Sequence, residues 1–209
     1  LKRFVVGVTG ASGSLCARSV LRALARHPEV GEIHAVLSRY AIRTINAELG
    51  SRARDEAGGL KALLGTGAGR AVAKRADAAT IVLHPADAME AAISSGSFPT
   101  DGMIVVPCSG GTLAAIAGGT SSNLVQRAAE VTLKERRPLV LALRETPLSL
   151  VHIENMRRAA LAGAILYPLM PAFYTGPRSI DDIVEQFTAR ILDLLHLPHG
   201  LGRRWGAAR

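Results

Sequence analysis

Val5-Val6-Gly7-Val8-Thr9-Gly10-Ala11-Ser12-Gly13 is the stretch whose reading decides the fold. An apolar, β-branched run ends in small residues, and a helical pattern follows at once through Leu15, Val20, Leu21 and Leu24. The order is strand, tight glycine turn, helix. Such a turn points backbone N–H groups and the positive end of a helix dipole at a bound anion. Gly7, Gly10 and Gly13 carry no Cβ, so a flat or phosphorylated ligand is expected to approach the main chain there. The plainer reading of the same glycines is a packing turn.

The device recurs downstream. Met103–Val106 reads as a buried strand, Pro107-Cys108-Ser109-Gly110-Gly111-Thr112 as its turn, and a helix starts at about Leu113. Two such turns on neighbouring parallel strands face each other at the carboxyl edge of a sheet, where α/β proteins bind ligands. Around them strands and helices alternate. Arg3–Val8 is the first strand, and Ser12 or Ser14 is the expected cap of the helix that ends by His27-Pro28. Then come a strand Glu32–Leu37, a helix Tyr40–Leu49 and a short helix around Leu60–Leu64. A strand near Ala79–Leu83 and a short helix Asp87–Ile93 follow. Asn123 caps a helix, and Pro138–Leu143 is continuously apolar, as in a sheet covered on both faces. Ser149–Leu161 is a helix, Ile165–Tyr167 a short strand, and Ser179-Ile180-Asp181-Asp182 a capping box opening the last helix. The fold class is α/β: a three-layer Rossmann-like or flavodoxin-like domain with a central parallel sheet flanked by helices. It is expected over residues 1–195, with a tail at 196–209.

Composition narrows the function. The chain has 209 residues, 48% hydrophobic and 20% charged, which is globular. A net charge of +8 admits nucleic-acid binding, but the arginines are scattered and aromatics are only 4%, so stacking platforms are scarce. A phosphorylated small substrate, or a solvated surface, explains the charge as well. Two cysteines, Cys16 and Cys108, make no disulfide framework and fit a reducing cytoplasm. The longest nearly apolar stretch, Ala159 to Tyr174, is interrupted by Gly163, Pro168 and Pro171 and is too short to span a bilayer. A dinucleotide site wants an acid at the end of the second strand. Ser38-Arg39-Tyr40 stands there, which disfavours NAD and suits a phosphate. Read alone, Glu48 is a surface acid and Arg190 a snorkelling side chain. Arg144-Glu145, leaving a buried strand together, are either a strand-end ion pair or a functional pair.

Together these blocks resemble a known family. Gly7 to Gly13, Pro107-Cys108-Ser109-x-x-Thr112-Leu113, Asn123-Leu124, Arg127-Ala128-Ala129, Leu133-Lys134-Glu135, Arg144-Glu145-Thr146-Pro147-Leu148, His152, Asn155-Met156 and Pro171-Ala172-Phe173-Tyr174 are similar to the UbiX/Pad-type flavin prenyltransferases. The resemblance runs from about residue 2 to Leu195. It implies an enzyme that binds FMN and attaches a dimethylallyl group from dimethylallyl phosphate to flavin N5 and C6, without a metal. It implies delivery of the prenylated FMN to a UbiD-type decarboxylase. It also implies a homo-oligomer built from trimers, often a dodecamer, with FMN at subunit interfaces. By position, Gly10, Ala11 and Ser12 would lie against the flavin. Ser38, Ser109, Gly110, Gly111, Thr112 and Arg144 would bind FMN. Lys134, Tyr174 and Arg190 would grip the prenyl phosphate, with Glu48 beside it. Glu145 would transfer protons with Ser12 as partner, and Trp205 would wall the prenyl group. Two cations and a neutral donor suit a departing phosphate, and Glu48 next to that phosphate is expected to have a raised pKa. Gly110-Gly111 departs from the family, many members of which carry Arg or Lys just before the threonine. That lost charge is the one support for an alternative, a non-catalytic FMN-binding or carrier subunit of a decarboxylase system.

Overall fold

Period-two burial builds the sheet. Phe4, Val6 and Val8 of β1 (Lys2–Val8) pack on one face, while Val5 packs on the other. Ile104 and Val106 of β4 (Gly102–Cys108) oppose Met103 and Val105 in the same way. With β2 (Val30–Leu37), β3 (Thr80–His84), β5 (Leu139–Leu143) and β6 (Ile165–Leu166), these strands form a parallel sheet in the order β3-β2-β1-β4-β5-β6. The computed structural model describes residues 1–65, 78–202, 204 and 206.

Helices cover both faces, giving three layers. α1 (Ser14–Arg26), α2 (Arg39–Leu49), α3 (Glu56–Leu64) and a long C-terminal helix, Ile180–Leu194, contribute Leu21, Leu24, Ile45, Leu63 and Ile191 to one core. α4 (Gly110–Gly118), α5 (Leu124–Lys134) and α6 (Leu150–Leu161) contribute Leu113, Leu124, Ala128 and Ala159 to the other. The C-terminal helix is α7. Burying one such Leu or Ile side chain is worth about 1.5–3 kcal/mol. β1 and β4 are neighbours, and the chain leaves them toward opposite faces, so the strand order reverses between them. That is the switch point at which a crevice opens.

The elements foreseen from the sequence are present, with bounds that differ by one to four residues. One is not. Residues 87–91 form turns followed by a single 3₁₀ turn, Ala92–Ser94, in place of the expected helix Asp87–Ile93. The Ala86 carbonyl is taken by the Leu124 N–H (2.8 Å), which docks this short segment on α5 and leaves it too little length to nucleate a helix. The fourth helix begins at Gly110 rather than Leu113, because Ser109 caps it. The strand foreseen near Ala79–Leu83 is β3; the residues before it at 66–77 lie outside the described ones.

The opening glycines are fixed by packing. A Cβ on Gly7 would stand 2.8 Å from Val125 Cγ1, and one on Gly10 would stand 2.6 Å from Tyr40 Cβ and 3.5 Å from Tyr40 Cα. The packing-turn reading therefore holds for both: Gly7 admits α5 and Gly10 admits the start of α2. Gly111, by contrast, faces open space. Gly10→Ala is expected to lower stability by about 1–3 kcal/mol through overpacking. Gly111→Ala should be neutral or stabilise by up to about 1 kcal/mol. Thermal unfolding of the two variants checks the contrast.

Candidate functional site

The carboxyl edge of the sheet is laced together just beyond the strands. Ser38 N–H donates to Val8 O (2.9 Å), joining the ends of β2 and β1. Arg144 N–H donates to Cys108 O (3.0 Å), joining β5 and β4. Between β1 and β4 the link is Thr9, whose N–H donates to Pro107 O (3.3 Å) and whose side chain adds two more bonds. Thr9 Oγ1 donates to Pro107 O (2.6 Å) and accepts from Ser109 N–H (2.9 Å), and Thr9 is buried. The two glycine turns thus face each other across one buried hydroxyl. No role was assigned to Thr9 from the sequence; its only signal is a lone hydroxyl where an apolar strand enters a turn.

Two helix amino ends flank this crevice, and they differ. At α4, Ser109 Oγ accepts the Thr112 N–H (3.3 Å) and donates to Thr112 Oγ1 (3.1 Å). The first-turn amides of Gly110 and Gly111 have no intrahelical acceptor and face an anion position. The Ser38 hydroxyl similarly caps α2 through Ala41 N–H (3.3 Å). At α1 neither Ser12 nor Ser14 is the cap. Gly13 holds that position with φ 129°, and the acceptor is a carboxylate from another helix. Glu48 accepts from Gly13 N–H (3.1 Å to each oxygen) and from Ser14 N–H (2.7 Å), with the Ser12 and Ser14 hydroxyls also bonded to it. Ser12 is therefore paired with Glu48 in this structure rather than with Glu145. Partial burial works to raise the Glu48 pKa, but these donors outweigh it and hold the carboxyl below its ordinary value. The expected raised value requires an anion next to Glu48; without one, its surroundings are all donors.

Arg144 and Glu145 leave β5 toward the same edge. Arg144 is exposed. Glu145 Oε1 accepts from Thr146 N–H (3.2 Å), and Oε2 lies 3.0 Å from where a Gly110 Cβ would be. His152 Nε2 lies 3.1 Å from that same point. The missing side chain at Gly110 is what lets both groups approach the amino end of α4. His152 belongs to one of the blocks quoted above but received no role; a histidine closing a Ser-x-x-His capping pattern is its signal.

The segment after β6 runs back beside the site. Tyr167 and Leu169 N–H groups donate to Leu141 and Leu143 carbonyls (2.9 Å each), and Leu169 packs where a Gly13 Cβ would be. Tyr174 and Arg190 then line one cleft of about 450 Å3 with Asp193. Arg190 Nη1 pairs with Asp193 Oδ2 (2.6 Å), and Asp193 Oδ1 also takes Arg204 (2.8 Å) and His199 (3.0 Å). Burial first, and then the neighbouring Cys16 and Tyr174, push the Tyr167 hydroxyl up to about 12 against the opposing pull of Arg190, so these groups are neighbours.

Lys134 is not among them. It ends α5, pairs with Glu135 and stands against Gly96, beside residues 96–100 that Arg137 ties down ahead of β4. That is the amino edge of the sheet, opposite Glu145. Trp205 lies outside the described residues.

Removing the Thr9 hydroxyl with the isosteric Thr9→Val leaves Ser109 N–H unpaired, while Pro107 O keeps only the residue-9 N–H. A loss of roughly 2 kcal/mol is expected, read by denaturant unfolding, together with weaker flavin binding. Glu48→Ala should cost about 0.5–1 kcal/mol at neutral pH, the low end for a helix cap because the carboxylate is exposed. The folded pKa is depressed, so this contribution is present above the ordinary carboxylate value and is lost as pH falls below about 4.5. Unfolding midpoints of wild type and Glu48→Ala should converge on acidification.

The chain matches the Flavoprotein family model over residues 1–192. It is 47% identical over 207 residues, 99% of this chain and 93% of the other, to a probable UbiX-like flavin prenyltransferase of Streptomyces sp. (strain D7). Among solved structures it matches AnUbiX in complex with FMN and dimethylallyl pyrophosphate (TM-score 0.83, 42% identity, 100% of this chain and 99% of that one). It also matches a dodecameric FMN-dependent UbiX-like decarboxylase from Escherichia coli O157:H7 (TM-score 0.83, 43% identity, 98% and 100%).

Proposed function

This chain belongs to the UbiX-like flavin prenyltransferases of the flavoprotein family, and from that premise we propose that it joins a dimethylallyl group from dimethylallyl phosphate to reduced FMN. The product would be prenylated FMN, with a UbiD-type decarboxylase as its recipient. The observation that carries the reading is the crevice between β1 and β4, where uncovered α4 amides, the Ser38, Ser109 and Thr112 hydroxyls and the Arg144–Glu145 pair share one sheet edge. These donors fit an anionic, planar ligand. FMN when bound would supply the nucleophilic ring.

The residues divide the remaining work. Gly10, Ala11 and Ser12 form one wall of the crevice. The Gly110 and Gly111 amides with Ser38, Ser109, Thr112 and Arg144 hold FMN. Glu145, at the lip of α4, moves the proton. Tyr174 and Arg190 grip the phosphate of the donor, and donors already in place stabilise its departure. An anion arriving beside Glu48 would raise the pKa of that carboxyl and let it take up a proton. The non-catalytic carrier reading is not favoured, since the relatives reported above include flavin prenyltransferases over their full length.

Lys134 completes the phosphate site only from a second copy. Two features support a homo-oligomer built from trimers, up to a dodecamer, in which sites are shared. Lys134 and Glu145 lie at opposite edges of the sheet within one chain. The α6 surface exposes apolar residues beside Arg157 and Arg158: Leu150 is 80% exposed, Val151 67% and Leu161 73%, and exposed apolar surface of this kind marks a protein contact. Residues 1–195 act as the FMN-binding domain in this reading, and the tail from 196 closes on it: Leu197 is buried and His27 Nε2 contacts Pro198 O (2.7 Å). No helix among the described residues is long and apolar enough to cross a membrane. Free, buried Cys16 and Cys108 support a cytoplasmic location.

Incubation with reduced FMN and dimethylallyl monophosphate or diphosphate should add one C5 unit to the flavin by mass spectrometry; an unchanged flavin with both donors sinks the proposal. Lys134→Ala and Glu145→Gln should each slow turnover by about 10²-fold or more. If sites are shared, co-assembling the two variants in equal amounts restores about one quarter of wild-type turnover, the fraction of sites pairing two intact residues. No recovery would show that each site takes Lys134 and Glu145 from the same copy and would overturn the shared-site reading.

A further inference from the structure

Resting on the reading that Arg190 grips the phosphate of the donor, we propose that Asp193 is a specificity-determining residue: its carboxylate in the phosphate cleft favours a monophosphate donor over a diphosphate. The cleft is built by the segment 172–175, the C-terminal half of α7 and the tail. Among its described lining residues Asp193 is the one carboxylate, and Arg190 and Arg204 are the two cations.

The helix itself sets the first pair. Arg190 and Asp193 stand three residues apart on α7, a spacing that makes their side chains neighbours. Arg190 Nη1 donates to Asp193 Oδ2 (2.6 Å), and Arg204 Nη2 donates to Oδ1 (2.8 Å) from the tail. His199 Nε2 lies 3.0 Å from the same Oδ1. Its Nδ1 accepts the Leu201 N–H (3.2 Å), so in the neutral ring the proton is on Nε2 and His199 donates without carrying a charge. Burial works to raise the Asp193 pKa, but Arg204, Arg190 and His199 outweigh it and hold the carboxyl below its ordinary value, so it is ionised at neutral pH. Asp193 is also the most enclosed of the three charged side chains, 20% exposed against 59% for Arg190 and 61% for Arg204. Its charge is therefore the least screened by water.

A phosphate entering this cleft meets two guanidiniums and one carboxylate. A phosphate oxygen that takes Arg190 Nη1 comes up beside Asp193 Oδ2, because both would share that nitrogen. An alkyl monophosphate carries about −1.5 to −2 near neutral pH, and the diphosphate about one charge more. The arginines attract both ligands. Asp193 repels each in proportion to its charge, so it penalises the diphosphate more. Specificity of this kind comes from the repulsive element, since the attractive groups are common to both ligands. Lys134 of a second copy, where it completes the site, adds one cation for either donor and does not remove the difference. The same contacts tie the tail to α7, so charge and tie must be separated by experiment.

Prenylation of reduced FMN by the full assembly is measured with dimethylallyl monophosphate and with dimethylallyl diphosphate, and the two kcat/KM values are compared as a ratio. Wild type should favour the monophosphate. Asp193→Asn should move the ratio about 5-fold or more toward the diphosphate, while Asp193→Glu, which keeps the charge, should hold it near the wild-type value. Arg204→Ala also cuts the tail contact but removes a positive charge, so it should move the ratio the other way. A shift of Asp193→Asn and Arg204→Ala in the same direction would trace the effect to the tail contact and overturn the inference. An unchanged ratio in Asp193→Asn, or a wild type that prefers the diphosphate, overturns it too. Inorganic phosphate and pyrophosphate, titrated calorimetrically into the FMN-loaded assembly, separate this inference from the reading beneath it. Asp193→Asn should tighten pyrophosphate about 5-fold more than phosphate whether or not turnover is seen. An equal gain for the two anions, or binding of neither, removes the role of Asp193, whereas a flavin that gains no C5 unit from either donor removes the prenyltransferase reading.

Discussion

The hydroxyl of Thr9 is the contact on which the rest of the edge depends. At a switch point the connections leave to opposite faces, α1 to one side and α4 to the other, so the two strand ends part beyond a last main-chain bond, Thr9 N–H to Pro107 O (3.3 Å). Something must span the gap without closing it. Thr9 does so by donating to Pro107 O and accepting from Ser109 N–H while buried. Both bonds go to main chain, and with the Thr9 N–H bond to the same Pro107 carbonyl they fix the separation of the two turns at one residue. Ser38 N–H to Val8 O and Arg144 N–H to Cys108 O extend the same row on either side. The crevice therefore has rigid walls before any ligand arrives, which is what preorganised donors require.

Across that crevice the electrostatics are unequal by construction. The amino end of α1 is occupied by Glu48, which takes two amides and two hydroxyls. The amino end of α4 has the neutral Ser109 cap on the Thr112 amide, with the Glu145 carboxylate beside Gly110 but bonded to Thr146 N–H. Two helix ends of equal dipole thus differ in how directly a carboxylate engages their amides. Orientation of a ligand with a single phosphate follows from that difference. The α1 end becomes available to a second anion only where Glu48 moves or takes up a proton.

The fold was legible from the sequence because its rules are local. Alternating burial, Gly turns and caps at Ser38, Ser109, Asn123, Ser149 and Ser179 all sit within a few residues of what they specify. The segment 87–93 was misread because its structure is decided at a distance, by α5 taking the Ala86 carbonyl. The same division runs through the site. Ser38, Ser109 and the Arg144–Glu145 pair were visible as strand-end signals. Gly7 and Gly10 were visible too, but their reason was not: they make room for Val125 and Tyr40. The pairing of Ser12 with Glu48 joins residues from two helices, and no spacing encodes it. Thr9 and His152 were in plain view without roles, since a buried bridge and an outward ring nitrogen are properties of the folded backbone.

Lys134 shows how far one chain goes. The residues that bind an anion near Arg190 are already partly spoken for: Asp193 neutralises Arg190 and is shared with Arg204 and His199. A phosphate arriving in that cleft meets less net positive charge than the count of basic residues suggests. Expelling phosphate from an allylic ester develops charge on the departing oxygens, and a guanidinium already paired to a carboxylate responds to it weakly. The proposed phosphate site therefore calls for an additional cation, and within the chain Lys134 stands against Gly96 at the amino edge of the sheet. In the reading proposed here only a second copy brings it there. Flavin binding, which uses one edge of one chain, and phosphate departure, which uses two copies, would then have different dependence on assembly. The apolar surface of α6 links them, because the contact that hides Leu150, Val151 and Leu161 would stabilise the same assembly that completes the site.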